Sequence, residues 1–222
     1  MCDRPDATVR EELVCWPDDS SHHLAACLPP GRREKWLDLG CGSGFAPLAR
    51  PELATSICGT DLNTRALDHA ALGAALSGVR LEVFDGDVGA NVPASWRGSC
   101  ELVSCNAPIP AAANISRTTP AAETFAGTAP VWRHAASDVV ERMVDAAASF
   151  AARDATIVLH AAHDALAAVL ARRRGDRTIV RYTPDDVSGF AVAWWQPDGE
   201  ERLVERVRLL TRDAPHLTFD DR

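Results

Sequence analysis

Asp38-Leu39-Gly40-Cys41-Gly42-Ser43-Gly44 is the stretch that decides the fold. Lys35 to Leu39 reads as a strand, and a short helix starts at about Phe45. Pro47 falls in the first turn of that helix, where proline is tolerated. A glycine-rich turn between strand and helix lets the backbone come close to a ligand. The dinucleotide fingerprint G-x-G-x-x-G would need its third glycine at position 45, which is Phe45. The pattern is instead acidic-x-G-x-G-x-G. A carboxylate at the end of the first strand, Asp38, repels a pyrophosphate and suits a cationic ligand.

Outward from this turn, strands and helices alternate. Ser56 to Thr60, Val79 to Phe84, Glu101 to Cys105 and Thr156 to Leu159 read as strands. Thr64 to Leu76 is an alanine-rich helix ended by Gly78, and His134 to Ala152 carries an apolar stripe at helical spacing. Asp164 is placed to cap a helix ending near Arg174, with Arg172, Arg173 and Arg174 as cations in its last turn. Upstream, Asp19 or Ser20 is placed to cap a helix from His22 to Leu28. In the tail, Thr178 to Tyr182, Phe190 to Gln196 and Leu203 to Leu210 read as strands, with a turn at Pro197-Asp198-Gly199-Glu200 between the last two. Alternation of this kind demands a parallel sheet with right-handed crossovers. The expected fold is α/β: a doubly wound, Rossmann-like, mostly parallel sheet with an antiparallel C-terminal edge hairpin. Residues 1–34 are expected as an N-terminal helical segment over the site, and residues 35–222 as the ligand-binding domain. Chemistry should gather beyond the carboxyl ends of the strands.

Composition narrows the class. The 222 residues are 46% hydrophobic, enough for one buried core, with no apolar run approaching a membrane span. No signal peptide is visible in the polar first ten residues, and the seven cysteines include no C-x-x-C pair. Buried free thiols in a reducing cytoplasm are therefore expected, with no metal site. The net charge of −8, with basic residues scattered, argues against nucleic acid as a partner, and the lack of a long apolar run argues against a membrane. His160-x-x-His163-Asp164 has the spacing of a metal site, but Asp164 reads better as a cap.

Two more strand ends add to the glycine turn. Gly59-Thr60-Asp61-Leu62-Asn63 puts Asp61 where a carboxylate accepts both hydroxyls of a ribose. Phe84-Asp85-Gly86-Asp87-Val88 offers Asp87 to an adenine amino group and Val88 to cover the ring. Together these elements resemble a class I S-adenosylmethionine (SAM)-dependent methyltransferase. Val103-Ser104-Cys105-Asn106-Ala107-Pro108-Ile109 resembles the Asn-Pro-Pro-Tyr motif of the amino-methylating members, and Val14-Cys15-Trp16-Pro17-Asp18-Asp19-Ser20 resembles the opening segment of their small-domain subfamily.

The resemblance implies SAM as cofactor, held by Asp38, Gly40, Cys41, Gly42, Gly44, Asp61, Leu62, Asp87, Val88 and Asn106. It implies that the Asn106 side-chain oxygen and the Ala107 carbonyl accept from the target amino group. Trp16, Ala107, Pro108, Ile109 and Trp132 would line the acceptor. Ile109 replaces the aromatic residue that stacks on planar amides and bases, which shifts the expectation to a small molecule, with nitrogen as the acceptor. Protein glutamine, a nucleic-acid amino group, and a SAM-binding scaffold without transfer are the alternatives. His134 and His160 are the candidate bases, each with a bland reading as a helix start or a packed strand end. The long segment from Pro108 to Trp132 is expected to close over the acceptor.

Overall fold

A computed structural model describes residues 14, 17–108, 138–183 and 189–222. Its frame is one eight-stranded sheet: β1 (Arg33–Leu39), β2 (Ala54–Asp61), β3 (Leu81–Asp85), β4 (Cys100–Asn106), β5 (Ala151–Ala162), β6 (Asp176–Thr183), β7 (Phe190–Gln196) and β8 (Arg202–Leu209). Their order across the sheet is β3-β2-β1-β4-β5-β7-β6-β8. Every neighbouring pair is parallel except those made by β7, which runs antiparallel to both β5 and β6. The helices are α1 (Asp19–Cys27), α2 (Phe45–Ala49), α3 (Thr64–Ser77), α4 (Val139–Phe150) and α5 (His163–Leu170).

The strands are apolar on both faces because both faces are covered. One core holds Leu37, Leu39, Val103, Cys105, Ile157 and Leu159 against Met143, Val144, Ala147 and Phe150 of α4 and Leu166 and Leu170 of α5. The opposite core holds Trp36, Ile57, Leu102, Val158 and Val180 against Leu24, Ala25, Cys27 and Leu28, with Leu217 of the tail added. Successive strand residues alternate between these cores. Asp38, Ser104, Asn106, His160 and Tyr182 follow the even-numbered positions, so all five face the α1 side.

The C-terminal antiparallel hairpin is β6–β7, joined across residues 184–189. The expectation that Pro197 to Glu200 closes a hairpin is corrected: β8 does not pair with β7 but lies parallel to β6 at the sheet edge. The reason is burial. Ala191 to Trp195 is buried on both faces and demands an interior place, while β8 carries Arg202, Glu205, Arg206 and Arg208 and tolerates an edge. To reach that edge the chain crosses the start of β6. Gly175, at φ +99°, makes room: a Cβ there would stand 2.1 Å from the Gln196 carbonyl oxygen and 2.6 Å from that of Pro197. Gly175→Ala is therefore expected to cost about 3 kcal/mol or more of stability. Urea denaturation reads it, and a loss below about 1 kcal/mol would mean that the crossing relaxes freely.

Three capping expectations change. Asp18, not Asp19 or Ser20, is the N-cap of α1, its carboxylate accepting from the Ser21 backbone. Asp164 lies in the first turn of α5 rather than capping it, and α5 stops at Leu170. The three arginines thus lie beyond the helix, where Arg172 meets Glu141 and Arg173 meets Asp145 at 2.5 Å, both partners on α4.

Candidate active site

The turn after β1 runs from Gly40 to Gly44 and is tied on both sides. Cys41 N donates to the Thr60 carbonyl at 2.9 Å, and Gly42 N donates to Asp61 Oδ2 at 2.8 Å. The other Asp61 oxygen accepts from Asn63 N at 2.9 Å. One carboxylate therefore fastens the glycine turn to the end of β2. Each of its oxygens keeps a second lone pair for a ligand hydroxyl. Burial pushes the Asp61 pKa up, and its backbone N–H partners pull it back. Gly42 has φ +54°, and a Cβ there would meet nothing within 4 Å. Its backbone thus faces open space, as ligand approach requires. Gly40 and Gly44 are packed closely, against Met143 and against Ala70 and Leu81.

Asp38 stands behind this turn and is 3% exposed. Trp36 Nε1 donates to Ser104 Oγ at 2.7 Å, and Ser104 Oγ donates to Asp38 Oδ1 at 2.5 Å. Burial raises the Asp38 pKa to about 7; the Ser104 bond opposes the rise and the nearby Asp61 adds to it. The folded chain therefore keeps a proton that the unfolded chain releases near pH 4. This group's contribution to stability is complete below about pH 4 and is lost as pH rises to about 7. Asp38→Asn should lack that loss. Melting temperatures from pH 5 to 8 should show the parent chain falling relative to the variant, then running level above pH 7. Parallel curves would exclude a protonated Asp38.

Beyond β3 the backbone is strained. Val88, a β-branched residue, sits at φ 42°, ψ 42°, and costs about 1–3 kcal/mol there. Asp87 makes an ion pair with Arg142 of α4, a partner that local sequence gave no sign of. Leu62 is 61% exposed at the end of β2.

Asn106 ends β4. The β4–β5 register puts His160 directly beside it. His160 Nδ1 is 2.8 Å from Asn106 Oδ1, and His160 Nε2 is 2.7 Å from Tyr182 Oη. Phe190 stacks on the His160 ring at 5.5 Å. From α1, Ser20 Oγ accepts from Asn106 Nδ2 at 2.8 Å and donates to Asp18 Oδ1 at 2.5 Å. Ala107 N donates to the His160 carbonyl at 2.8 Å, and Pro108 follows, partly exposed. A Cβ on Gly40 would stand 4.0 Å from the Asn106 carbonyl oxygen, so the glycine turn and the end of β4 adjoin. Burial holds the His160 pKa down at about 3. A ring so placed, with both nitrogens engaged, is poorly suited to collect a proton near neutral pH.

Ser20, Ser104, Tyr182 and Phe190 were not singled out from the sequence. Ser104 had a signal: two residues before Asn106, it shares a face with it and with Asp38. His22 is exposed and stacks on His216, while buried His23 accepts from Leu217 N at 2.9 Å through its Nδ1. Trp16, Ile109, Trp132 and His134 lie outside the described residues, as do residues 109–137. Among the described residues no group of three His, Cys, Asp or Glu side chains is gathered to hold a metal. Cys27, Cys41, Cys58, Cys100 and Cys105 are buried free thiols. No helix among the described residues is long and apolar enough to cross a membrane.

A doubly wound sheet that begins 3-2-1-4-5-7-6, with an acidic-x-G-x-G-x-G turn after β1 and a carboxylate at the end of β2, defines a class I SAM-dependent methyltransferase. Residues 16–133 match the methyltransferase small domain family, and the chain belongs to it. SAM is the methyl donor. Solved structures share the fold at low identity. A predicted O-methyltransferase from Agrobacterium tumefaciens is 19% identical, with a TM-score of 0.61 and 88% of each chain covered. A ribosomal protein L11 methylase from Lactobacillus delbrueckii subsp. bulgaricus is 15% identical, with a TM-score of 0.52, covering 80% of this chain and 77% of that one. An rRNA methylase from Streptococcus thermophilus is 14% identical, with a TM-score of 0.51, covering 80% of this chain and 94% of that one. No curated protein matches.

Proposed function

We propose that this methyltransferase acts on a nitrogen of a small molecule, as in the tailoring of a specialised metabolite. The observation that carries the reading is Asn106. It ends β4 with its backbone carbonyl beside the glycine turn, and its side-chain oxygen is held by His160.

The residues fit SAM. Asp61 has lone pairs left for the ribose hydroxyls, and the Gly42 backbone faces open space. A cationic methionine end placed beside the buried Asp38 and Asp61 carboxyls would favour their ionised forms and be stabilised by them in return. Leu62 and Val88 flank the place where adenine would lie, with Asp87 as acceptor for its amino group. SAM, when bound, supplies an activated methyl carbon and a neutral thioether leaving group.

The protein's own work is alignment and exclusion of water. Asn106 Oδ1 and the Ala107 carbonyl accept the N–H bonds of the target, which turns its lone pair toward the methyl group. Positive charge develops on the nitrogen during attack, and the two oxygens stabilise it before a proton leaves. His160 orients Asn106 rather than taking that proton. His134 is the remaining candidate base, with Trp16, Pro108, Ile109 and Trp132 as walls of the acceptor pocket.

The net charge of −8 and the aliphatic Ile109 support a small acceptor over a base or a glutamine amide. Methyl-labelled SAM, offered with aliphatic amines, alcohols, glutamine peptides and ribosomal RNA, tests this. Label on amines supports the proposal. Label confined to peptide or RNA would overturn it.

A further inference from the structure

Five polar side chains from four separate elements join hands across the α1 face of the sheet: Asp18, Ser20, Asn106, His160 and Tyr182. Their chemistry allows only one direction of donation. A carboxylate only accepts, so the single proton of Ser20 goes to Asp18 Oδ1. Ser20 Oγ must then accept, which makes the Asn106 atom facing it the amide nitrogen. Asn106 Oδ1 is therefore turned to His160, and it too can only accept. His160 Nδ1 must carry the proton.

The ring is buried, with Tyr182 tilted beside it and Phe190 stacked on it, and the titratable groups acting on it are His23 of α1, which lowers its pKa, and Asp18, which raises it. It is neutral, so Nε2 holds a lone pair and the Tyr182 hydroxyl donates to it. The amide orientation and the histidine tautomer follow from the chain of partners.

We propose that Tyr182, His160 and Ser20 are positioning residues that lock Asn106 as a permanent hydrogen-bond acceptor, so that the methyl acceptor must present an N–H or O–H to Asn106 Oδ1. This rests on the methyl-transfer reading of Asn106 given above. Turning the amide to offer its NH2 group to a substrate would break the bonds to both Ser20 and His160, one of them to a ring with no access to water. A thiolate or a ring carbon finds no partner at Asn106 and is selected against. The relay also makes α1 part of the site, since Ser20 and Asn106 are 86 residues apart.

Long-range proton–nitrogen NMR of histidine-labelled protein tests the relay without any acceptor, and His160→Asn assigns the signal. The expected result is a neutral Nδ1–H tautomer for His160 from pH 5 to 8, with the Nε2 resonance moving in Tyr182→Phe. An Nε2–H tautomer, or titration within that range, would overturn it. Methyl transfer to an amine panel then tests positioning. Ser20→Ala and His160→Ala should lower kcat about tenfold, with SAM affinity by calorimetry within a few-fold. His160→Asn, which can place an amide N–H where Nδ1–H stood, should recover most of the loss. Equal activity of the Asn and Ala variants would overturn the positioning role, as would methylation of thiols in preference to amines and alcohols. The NMR result stands apart from activity, so an error in the acceptor class and an error in the relay are distinguishable.

Discussion

Asn106→Ala is expected to lower turnover on the order of a hundredfold while leaving SAM affinity within a few-fold, by analogy with the loss of one oxyanion donor. The substitution removes the oxygen that accepts from the target and the amide that Ser20 and His160 hold. It also leaves the buried His160 Nδ1–H without its partner, so some loss of stability accompanies the loss of rate. Melting temperature and calorimetric SAM affinity separate the two effects. Normal turnover with the true acceptor would remove the amino-methylating reading. A large fall in SAM affinity at unchanged kcat would instead make Asn106 a cofactor residue only.

Asp61→Ala should weaken SAM binding by roughly tenfold to a hundredfold, since each charge-assisted hydrogen bond is worth about 1.5–3 kcal/mol. Two losses combine. The ribose loses its acceptors, and the glycine turn loses the link from Gly42 N to Asp61 that fixes its shape. Stability should change less, because removing a carboxylate disfavoured by burial offsets part of the cost of freeing Gly42 N and Asn63 N. Asp61→Asn, with one acceptor oxygen instead of two, should fall between the parent and the alanine variant. Unchanged affinity in the alanine variant, measured by titration calorimetry, would sink the assignment of this pocket.

Much of the frame was legible in the chain because its signals are local. The glycine turn, the Gly78 stop of α3 and the second strand, read as ending at Thr60 and found to end at Asp61, all depend on residues within a few positions of each other. Strand boundaries moved most at β5, where burial continues to Ala162 at one end and pairing extends through the less buried Ala151 to Asp154 at the other. β5 begins at Ala151 and ends at Ala162, well beyond the stretch from Thr156 to Leu159.

The sequence alone determined a βα unit whose acidic glycine turn suits a cationic nucleoside-type ligand, and put Asn106 at the end of the fourth strand. Only the tertiary structure decided what Asn106 touches. Strand register sets His160 next to it, and insertion of the doubly buried β7 between β5 and β6 sets how far away Tyr182 stands. The same structure put Asp38 behind the glycine turn with Ser104, and tied Asp87 to Arg142. A side-chain period of two fixes the faces within a strand but not the order or register between strands. Those are chosen by packing both faces of the sheet at once, which is a property of the whole chain.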